Sequence, residues 1–181
     1  MPTTLPAKFA YLATEPGPKV LLEALKWLGV HEVPGLGNNP VIMDAAQAVG
    51  AADYYPNDAT PWCALAMTYW VKQAGFPVAR DPLAARSWAT WGTPAPGNVP
   101  MLGDVLVYSR VGGGHVTLYV GESKDYYYCL GGNQGDSVCI VGFPKTRPMT
   151  VRRCPWKVAQ PANVGRRILD GAPVAAGVSE V

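Results

Sequence analysis

The sequence has little histidine, little charge and no long apolar run. Its only histidines are His31 and His115, and its four cysteines form no CxxC pair. Structural zinc sites take about four Cys or His ligands at short spacing, so we expect no metal and no other cofactor. No apolar stretch reaches the length that spans a bilayer, and we expect no stable membrane insertion.

Charged residues make up 15% of the 181 residues and leave a formal net charge of +2. This charge is too small to predict nucleic-acid binding, although it does not repel an anionic polymer such as a cell wall. A hydrophobic share of 49% predicts one soluble domain, which we expect to be a monomer. The N-terminus, residues 1–8, lacks the apolar core of a secretory signal, so no Sec-type export is expected.

Proline and glycine mark the ends of four predicted helices. Each helix has a proline near its first turn and a glycine just after its last residue, which is the asymmetry that helix ends favour. The predicted helices run over about 18–28, 40–49, 61–74 and 82–91, and they are followed by Gly29, Gly50, Gly75 and Gly92.

The character of the chain changes after a proline-rich connector at 93–100. Short β-rich runs follow at 104–109, 115–121, 126–130, 138–141 and 150–153. Helices first and an antiparallel sheet afterwards predict an α+β fold. We expect one folded domain over 17–157, an extended N-terminal segment over 1–16, and an extended or mobile tail over 158–181.

Cys63 is the cysteine placed for reactivity. Thr60 is a good N-cap and Pro61 a good first helical residue, which puts Cys63 in the first turn of a helix. Unpaired N–H groups and the helix dipole there favour a thiolate, the nucleophilic form of cysteine. The alternative is buried packing, the usual role of an apolar-helix cysteine, and we assign that role to Cys129, Cys139 and Cys154.

His115 is the candidate general base. It follows Gly112–Gly114 and opens an alternating strand, whereas His31 lies in a loop. The alternative interpretation is a surface histidine in a turn. A base also needs a third group that holds its ring, and an amide at Asn133 or Gln134 suits this role; we prefer Asn133.

The same segment, 131–135, is also typical of an ordinary turn. Cys129 and Cys139 flank it and could pair across a hairpin, but two reduced strand residues are the preferred interpretation for a chain without a secretory signal.

Five short motifs occur in an order that resembles small NlpC/P60- and CHAP-like cysteine peptidoglycan hydrolases, which are common in phages and prophages. The resemblance covers about 18–156, and Leu28–Gly35 also looks like this subgroup. The motifs are Pro61–Ala64, Ala85–Trp88, Gly103–Val105, Gly114–Val116 and Leu130–Gln134.

This resemblance implies a papain-like α+β fold with N-terminal helices packed on the sheet. It also implies that Cys63 attacks an amide carbonyl of the stem peptide or cross-bridge, with His115 as base and Asn133 as third catalytic residue. Candidate substrate-binding residues within the motifs are Trp62, Arg86, Trp88 and Gln134. The chain departs from many CHAP-type enzymes, which carry a glutamate shortly before the asparagine, where Gly131 and Gly132 stand here.

The expected function is therefore an endolysin-like, bacteriolytic peptidoglycan hydrolase, located in the host cytoplasm until release to the wall, or carried in the virion. Amidase and endopeptidase activities remain open. Two other classes remain as alternatives: a non-catalytic wall-binding or virion structural protein with the same fold, and a thiol protease or acyltransferase of other specificity.

Overall fold

The computed structural model describes residues 5–15, 17–161 and 164–169. Within these residues three α-helices precede a six-stranded antiparallel sheet, which confirms the predicted α+β class. The helices are α1 (Lys19–Leu25), α2 (Pro40–Ala48) and α3 (Cys63–Gln73), and 3₁₀ helices cover Ala7–Ala13, Ala52–Tyr54, Ala85–Thr90 and Pro96–Asn98. The strands are β1 (Thr93–Pro94), β2 (Val105–Arg110), β3 (Gly113–Glu122), β4 (Tyr126–Gly131), β5 (Cys139–Pro144) and β6 (Met149–Arg153).

Helix α2 begins as predicted. The Asn39 side chain accepts a hydrogen bond from the backbone N–H of Val41 at 2.9 Å, and Pro40 is the first helical residue. Helix α3 begins later than predicted, because its N-cap is Trp62 rather than Thr60. Cys63 is therefore the first residue of α3, at the end where backbone N–H groups have no intrahelical acceptor.

The fourth predicted helix, 82–91, is only a 3₁₀ helix over Ala85–Thr90. In an α-helix the carbonyl of Pro82 would accept the N–H of residue 86. Here that carbonyl accepts the Thr68 hydroxyl at 2.8 Å and the Trp88 indole N–H at 3.0 Å. These side-chain bonds replace the first α-helical turn.

Strands β2 to β5 form a meander, and β6 returns to pair with the free side of β2, giving the order β1-β6-β2-β3-β4-β5. Side chains alternate between the two faces of β3. Val116, Leu118 and Val120 join the main core between the sheet and the helices. Tyr119 joins a smaller cluster on the other face, and His115 shares that face by alternation.

The prediction of an extended N-terminal segment is wrong for Ala7–Ala13, which forms a 3₁₀ helix. Phe9 and Leu12 are buried, and their spacing puts them on one side of a helix with three residues per turn. Phe9 packs edge-on against Tyr128, with ring centroids 5.6 Å apart. Residues 1–4 and 16 lie outside the described residues.

Part of the predicted tail is attached to β3. The N–H of Glu122 donates to the Arg167 carbonyl and the N–H of Leu169 donates to the Glu122 carbonyl, both at 2.8 Å. Burial would raise the pKa of the Glu122 carboxyl, but hydrogen bonds from Arg166 and Lys145 outweigh burial and lower it. Residues 164–169 are thus tied to the sheet, while 162–163 and 170–181 lie outside the described residues.

All four cysteines are free thiols. The strand register separates the two that flank the loop, since Cys129 pairs with Val141 and Cys139 pairs with Gly131. Among the described residues, no helix combines the length and apolar character needed to span a membrane.

Candidate active site

Cys63 and His115 meet at the point where α3 begins and β3 leaves its glycine-rich turn. The thiol and the imidazole are hydrogen bonded. Cys63 is 8% exposed and His115 is 2% exposed, so the pair is largely shielded from water. The structure therefore brings together the two residues that the sequence predicts as nucleophile and base.

The surroundings of Cys63 favour its thiolate. Burial by itself would raise the pKa of this thiol. The hydrogen bond and charge of His115, with backbone hydrogen bonds from Val116 and Ala64, outweigh burial and lower the pKa. A thiolate paired with an imidazolium is the reactive form of a cysteine nucleophile.

Gln134, rather than the preferred Asn133, is the residue placed against the outer nitrogen of His115. Nε2 of His115 donates to Oε1 of Gln134 at 3.0 Å. Asn133 adopts a left-handed backbone conformation with φ of +56°, and the next side chain, that of Gln134, returns across Gly131 toward His115. The sequence alone could not decide which of the two neighbouring amides contacts His115, because the answer depends on the backbone conformation of this turn.

The amide of Gln134 is held in one orientation. Its Nε2 donates to the Cys139 carbonyl at 2.7 Å, which directs Oε1 toward His115. The Thr117 hydroxyl lies 3.4 Å from the same oxygen, and Gln134 is 1% exposed. Because an amide oxygen only accepts, Nε2 of His115 carries a proton, and Nδ1 is left for the Cys63 thiol.

Two glycines leave the space that this arrangement fills. A Cβ atom at Gly131 would lie 2.7 Å from Oε1 of Gln134 and from Oγ1 of Thr117. A Cβ atom at Gly132 would lie 2.8 Å from the ring of Trp62. Larger residues at these positions would displace the groups around His115, which gives a steric reason for glycine at both.

Trp62 is predicted to bind substrate, but the structure does not place it where a substrate could reach it. Its side chain is completely buried, and its indole Nε1 donates to Oε1 of Glu32 at 2.7 Å. The ring also occupies the space that a Cβ atom at Gly132 would need. Trp62 thereby fixes the start of α3 against the loop that carries Gln134.

Glu32 is a site residue that the sequence pattern did not single out, although it lies within Leu28–Gly35, a segment that carries part of the resemblance. Its N–H donates to the Asp136 carbonyl at 2.8 Å. Burial raises the pKa of its carboxyl; the Trp62 hydrogen bond opposes this, and the charges of Asp136 and Asp58 add to it. Glu32 thus joins Trp62 to the segment just after Gln134.

Trp88 is also buried, and its indole bond to Pro82 makes it a support rather than a substrate contact. Arg86 is exposed, and its Nη2 donates to the Arg110 carbonyl. Of the four predicted substrate-binding residues, the structure places Arg86 in the cleft described next. His31 is exposed and its Nδ1 lies 3.1 Å from the Gly29 carbonyl oxygen.

A cleft of about 340 Å³ opens beside Cys63. It carries the positive charge of two arginines. It is lined by Pro61, Cys63, Ala64, Leu83–Arg86, Arg110 and Gly112–Gly114. Among the described residues, no group of three or more His, Cys, Asp or Glu side chains is arranged to hold a metal ion.

No family model, curated protein or solved structure matches this chain.

The state of Cys63 predicts how its alkylation depends on pH. We expect iodoacetamide to modify Cys63 with a pH midpoint below that of an ordinary thiol, because His115 stabilises the thiolate. His115→Ala should move the midpoint above the ordinary value, because burial remains and the opposing charge is lost. Peptide mass spectrometry separates Cys63 from the other thiols. Equal midpoints in the two proteins would contradict the pairing.

The placement of Gln134 predicts a difference between neighbouring amides. Gln134→Ala should slow the alkylation of Cys63 at pH 6 by about tenfold, because His115 loses the acceptor that holds its ring. Asn133→Gly is the matched control, since glycine accepts the positive φ and removes only the side chain. It should alter the rate less than threefold or so. A larger loss in the Asn133 variant would reverse the assignment.

Proposed function

We propose that this protein is a papain-like cysteine hydrolase that cleaves an amide bond in bacterial peptidoglycan. The observation that carries the proposal is the chain of contacts from Cys63 to His115 to Gln134 beside an open cleft. This is the order of nucleophile, base and orienting group that amide hydrolysis requires.

The first half of the reaction transfers the acyl group to Cys63. The thiolate attacks the amide carbonyl carbon and forms a C–S bond, and the carbonyl electrons move to oxygen. As the tetrahedral intermediate collapses, the C–N bond breaks and the imidazolium of His115 protonates the departing nitrogen. The products are a free amine and a thioester on Cys63.

The second half consumes water. Neutral His115 removes a proton from water while the resulting hydroxide attacks the thioester carbonyl. The C–S bond then breaks, and the products are a carboxylic acid and the regenerated thiolate–imidazolium pair. Gln134 holds the same ring nitrogen protonated in both halves, so Nδ1 performs each proton transfer.

The start of α3 supplies a site for the negative oxygen that forms in each half. Cys63 is the first helical residue, and its backbone N–H has no acceptor within the helix. A donor of this kind beside the nucleophile stabilises charge that develops in the transition state. The positive end of the helix dipole adds to the effect.

The choice of peptidoglycan rests on the ordered motifs from Pro61–Ala64 to Leu130–Gln134 and on the charge of the cleft. Arg86 and Arg110 both line it, and peptidoglycan stem peptides carry carboxylates that pair with arginine. The same motifs support a phage or prophage origin and an endolysin-like role. Amidase and endopeptidase reactions use the same residues and differ in the amide presented to Cys63.

Purified peptidoglycan tests this proposal. We expect the protein to release fragments with new amine and carboxylate ends, in the presence of EDTA as well, and mass spectrometry of the fragments identifies the bond. Cys63→Ala should lower the release rate by about 10³-fold or more, because no other group forms the thioester. Cys154→Ala also removes a buried thiol and should retain most of the activity.

The same assay separates the alternatives. Wall binding without release by the unaltered protein would favour a non-catalytic wall-binding or virion protein. Cleavage of casein without cleavage of the wall would favour a thiol protease. Equal release by the Cys63→Ala protein would contradict the proposed nucleophile.

A further inference from the structure

A second cavity adjoins the Cys63 cleft. Its volume is about 460 Å³, and it shares Leu83 and Ala84 with the cleft. Both cavities also follow α3, with Ala64 lining the cleft and Thr68, one turn later, lining the second cavity. The second cavity is lined by Val49–Ala51, Tyr54, Thr68 and Asp81–Ala84.

The residues that separate the two cavities, Leu83 and Ala84, follow a segment that is held by hydrogen bonds. The Pro82 carbonyl accepts hydrogen bonds from Thr68 and Trp88, at 2.8 and 3.0 Å. The N–H of Asp81 donates to Oγ of Ser87 at 3.0 Å. Ser87 and Trp88 of the Ala85–Trp88 motif thus hold the segment that leads into Leu83 and Ala84, the residues between the two cavities. Because this segment is held in place, the second cavity is formed before any ligand binds.

The lining of the second cavity is mostly aliphatic, with one carboxylate. Val49, Leu83 and the neighbouring alanines and proline suit an apolar chain, while Asp81 supplies a negative charge. The Cys63 cleft carries the opposite charge, from Arg86 and Arg110. The two cavities on either side of Leu83 and Ala84 therefore carry opposite charges, negative in the second cavity and positive in the cleft.

We propose that the second cavity is a subsite for a cationic amine on an aliphatic stem, the side chain of a diamino acid, carried by the substrate that lies across Cys63. Its methylene groups pack against the aliphatic lining, and its ammonium group pairs with the Asp81 carboxylate. A neighbouring carboxylate of the same substrate faces the arginines of the cleft. This inference rests on the proposed function, since peptidoglycan stem peptides contain such a diamino acid.

The experiment compares two forms of one probe. A muropeptide digest that contains monomeric and cross-linked stem peptides is used with its amino groups free or acetylated by acetic anhydride. Chromatography with mass spectrometry gives kcat/KM for each fragment that is cut. We expect acetylation to lower kcat/KM for the unaltered protein by about tenfold, because the ammonium charge is lost.

Asp81→Asn should lower kcat/KM for the free-amine digest by about tenfold and leave the acetylated digest unchanged. Asp44→Asn is the matched control, because Asp44 is exposed on α2 and lies outside the lining of both cavities. It should behave as the unaltered protein toward both digests. Equal effects of Asp81→Asn on the two digests would overturn the subsite and leave wall cleavage standing.

If the unaltered protein cuts neither digest, the proposed hydrolase function fails, and binding then decides the subsite. Calorimetry with the Cys63→Ala protein and the free-amine digest gives the affinity without turnover. An affinity that falls about tenfold with Asp81→Asn added, and with acetylation, supports the subsite. An affinity that neither change alters overturns it.

Discussion

The hydrogen bond from Nε2 of His115 to Oε1 of Gln134 determines what the rest of the site can do. It places the ring proton on one nitrogen and leaves the other for Cys63, so a single tautomer faces the thiol. When His115 is charged, both ring nitrogens are protonated, and the Gln134 oxygen accepts from one of them while the charge of the ring lowers the pKa of Cys63 against the effect of burial. The state of the Cys63 thiol therefore depends on an amide that follows β4, the strand next to the one that carries His115.

The surrounding packing serves that bond. Gly131 leaves room for the Gln134 amide, and Gly132 leaves room for Trp62, whose neighbour in the chain is Cys63. Glu32 then ties Trp62 to the loop that follows Gln134. The start of α3, the strand that carries His115 and the loop that carries Gln134 are thus joined by direct contacts. This is the precision that a preformed site requires.

Local features of the sequence predicted most of the fold and two of the site residues. The proline that opens α2 and the glycines after α2 and α3 act within a few residues, and so do the alternating runs that form strands. Cys63 and His115 were recognisable because each sits at the start of an element. The roles of Gln134, Trp62 and Glu32 depend on contacts between distant segments. The side-chain bonds of Thr68 and Trp88 to Pro82 likewise replace a predicted α-helix with a 3₁₀ helix. The spacing of apolar residues cannot predict that side chains will compete with backbone N–H groups for this carbonyl.

We propose above all that Cys63 is an activated nucleophile that forms a covalent acyl intermediate. The most direct measurement mixes the protein with peptidoglycan fragments, quenches the mixture in acid within the first turnover, and determines the mass of the intact protein and of its peptides. We expect a thioester-linked fragment on the peptide that contains Cys63 and none on the Cys63→Ala protein. Turnover by the Cys63→Ala protein, or an acyl group on a different residue, would contradict it.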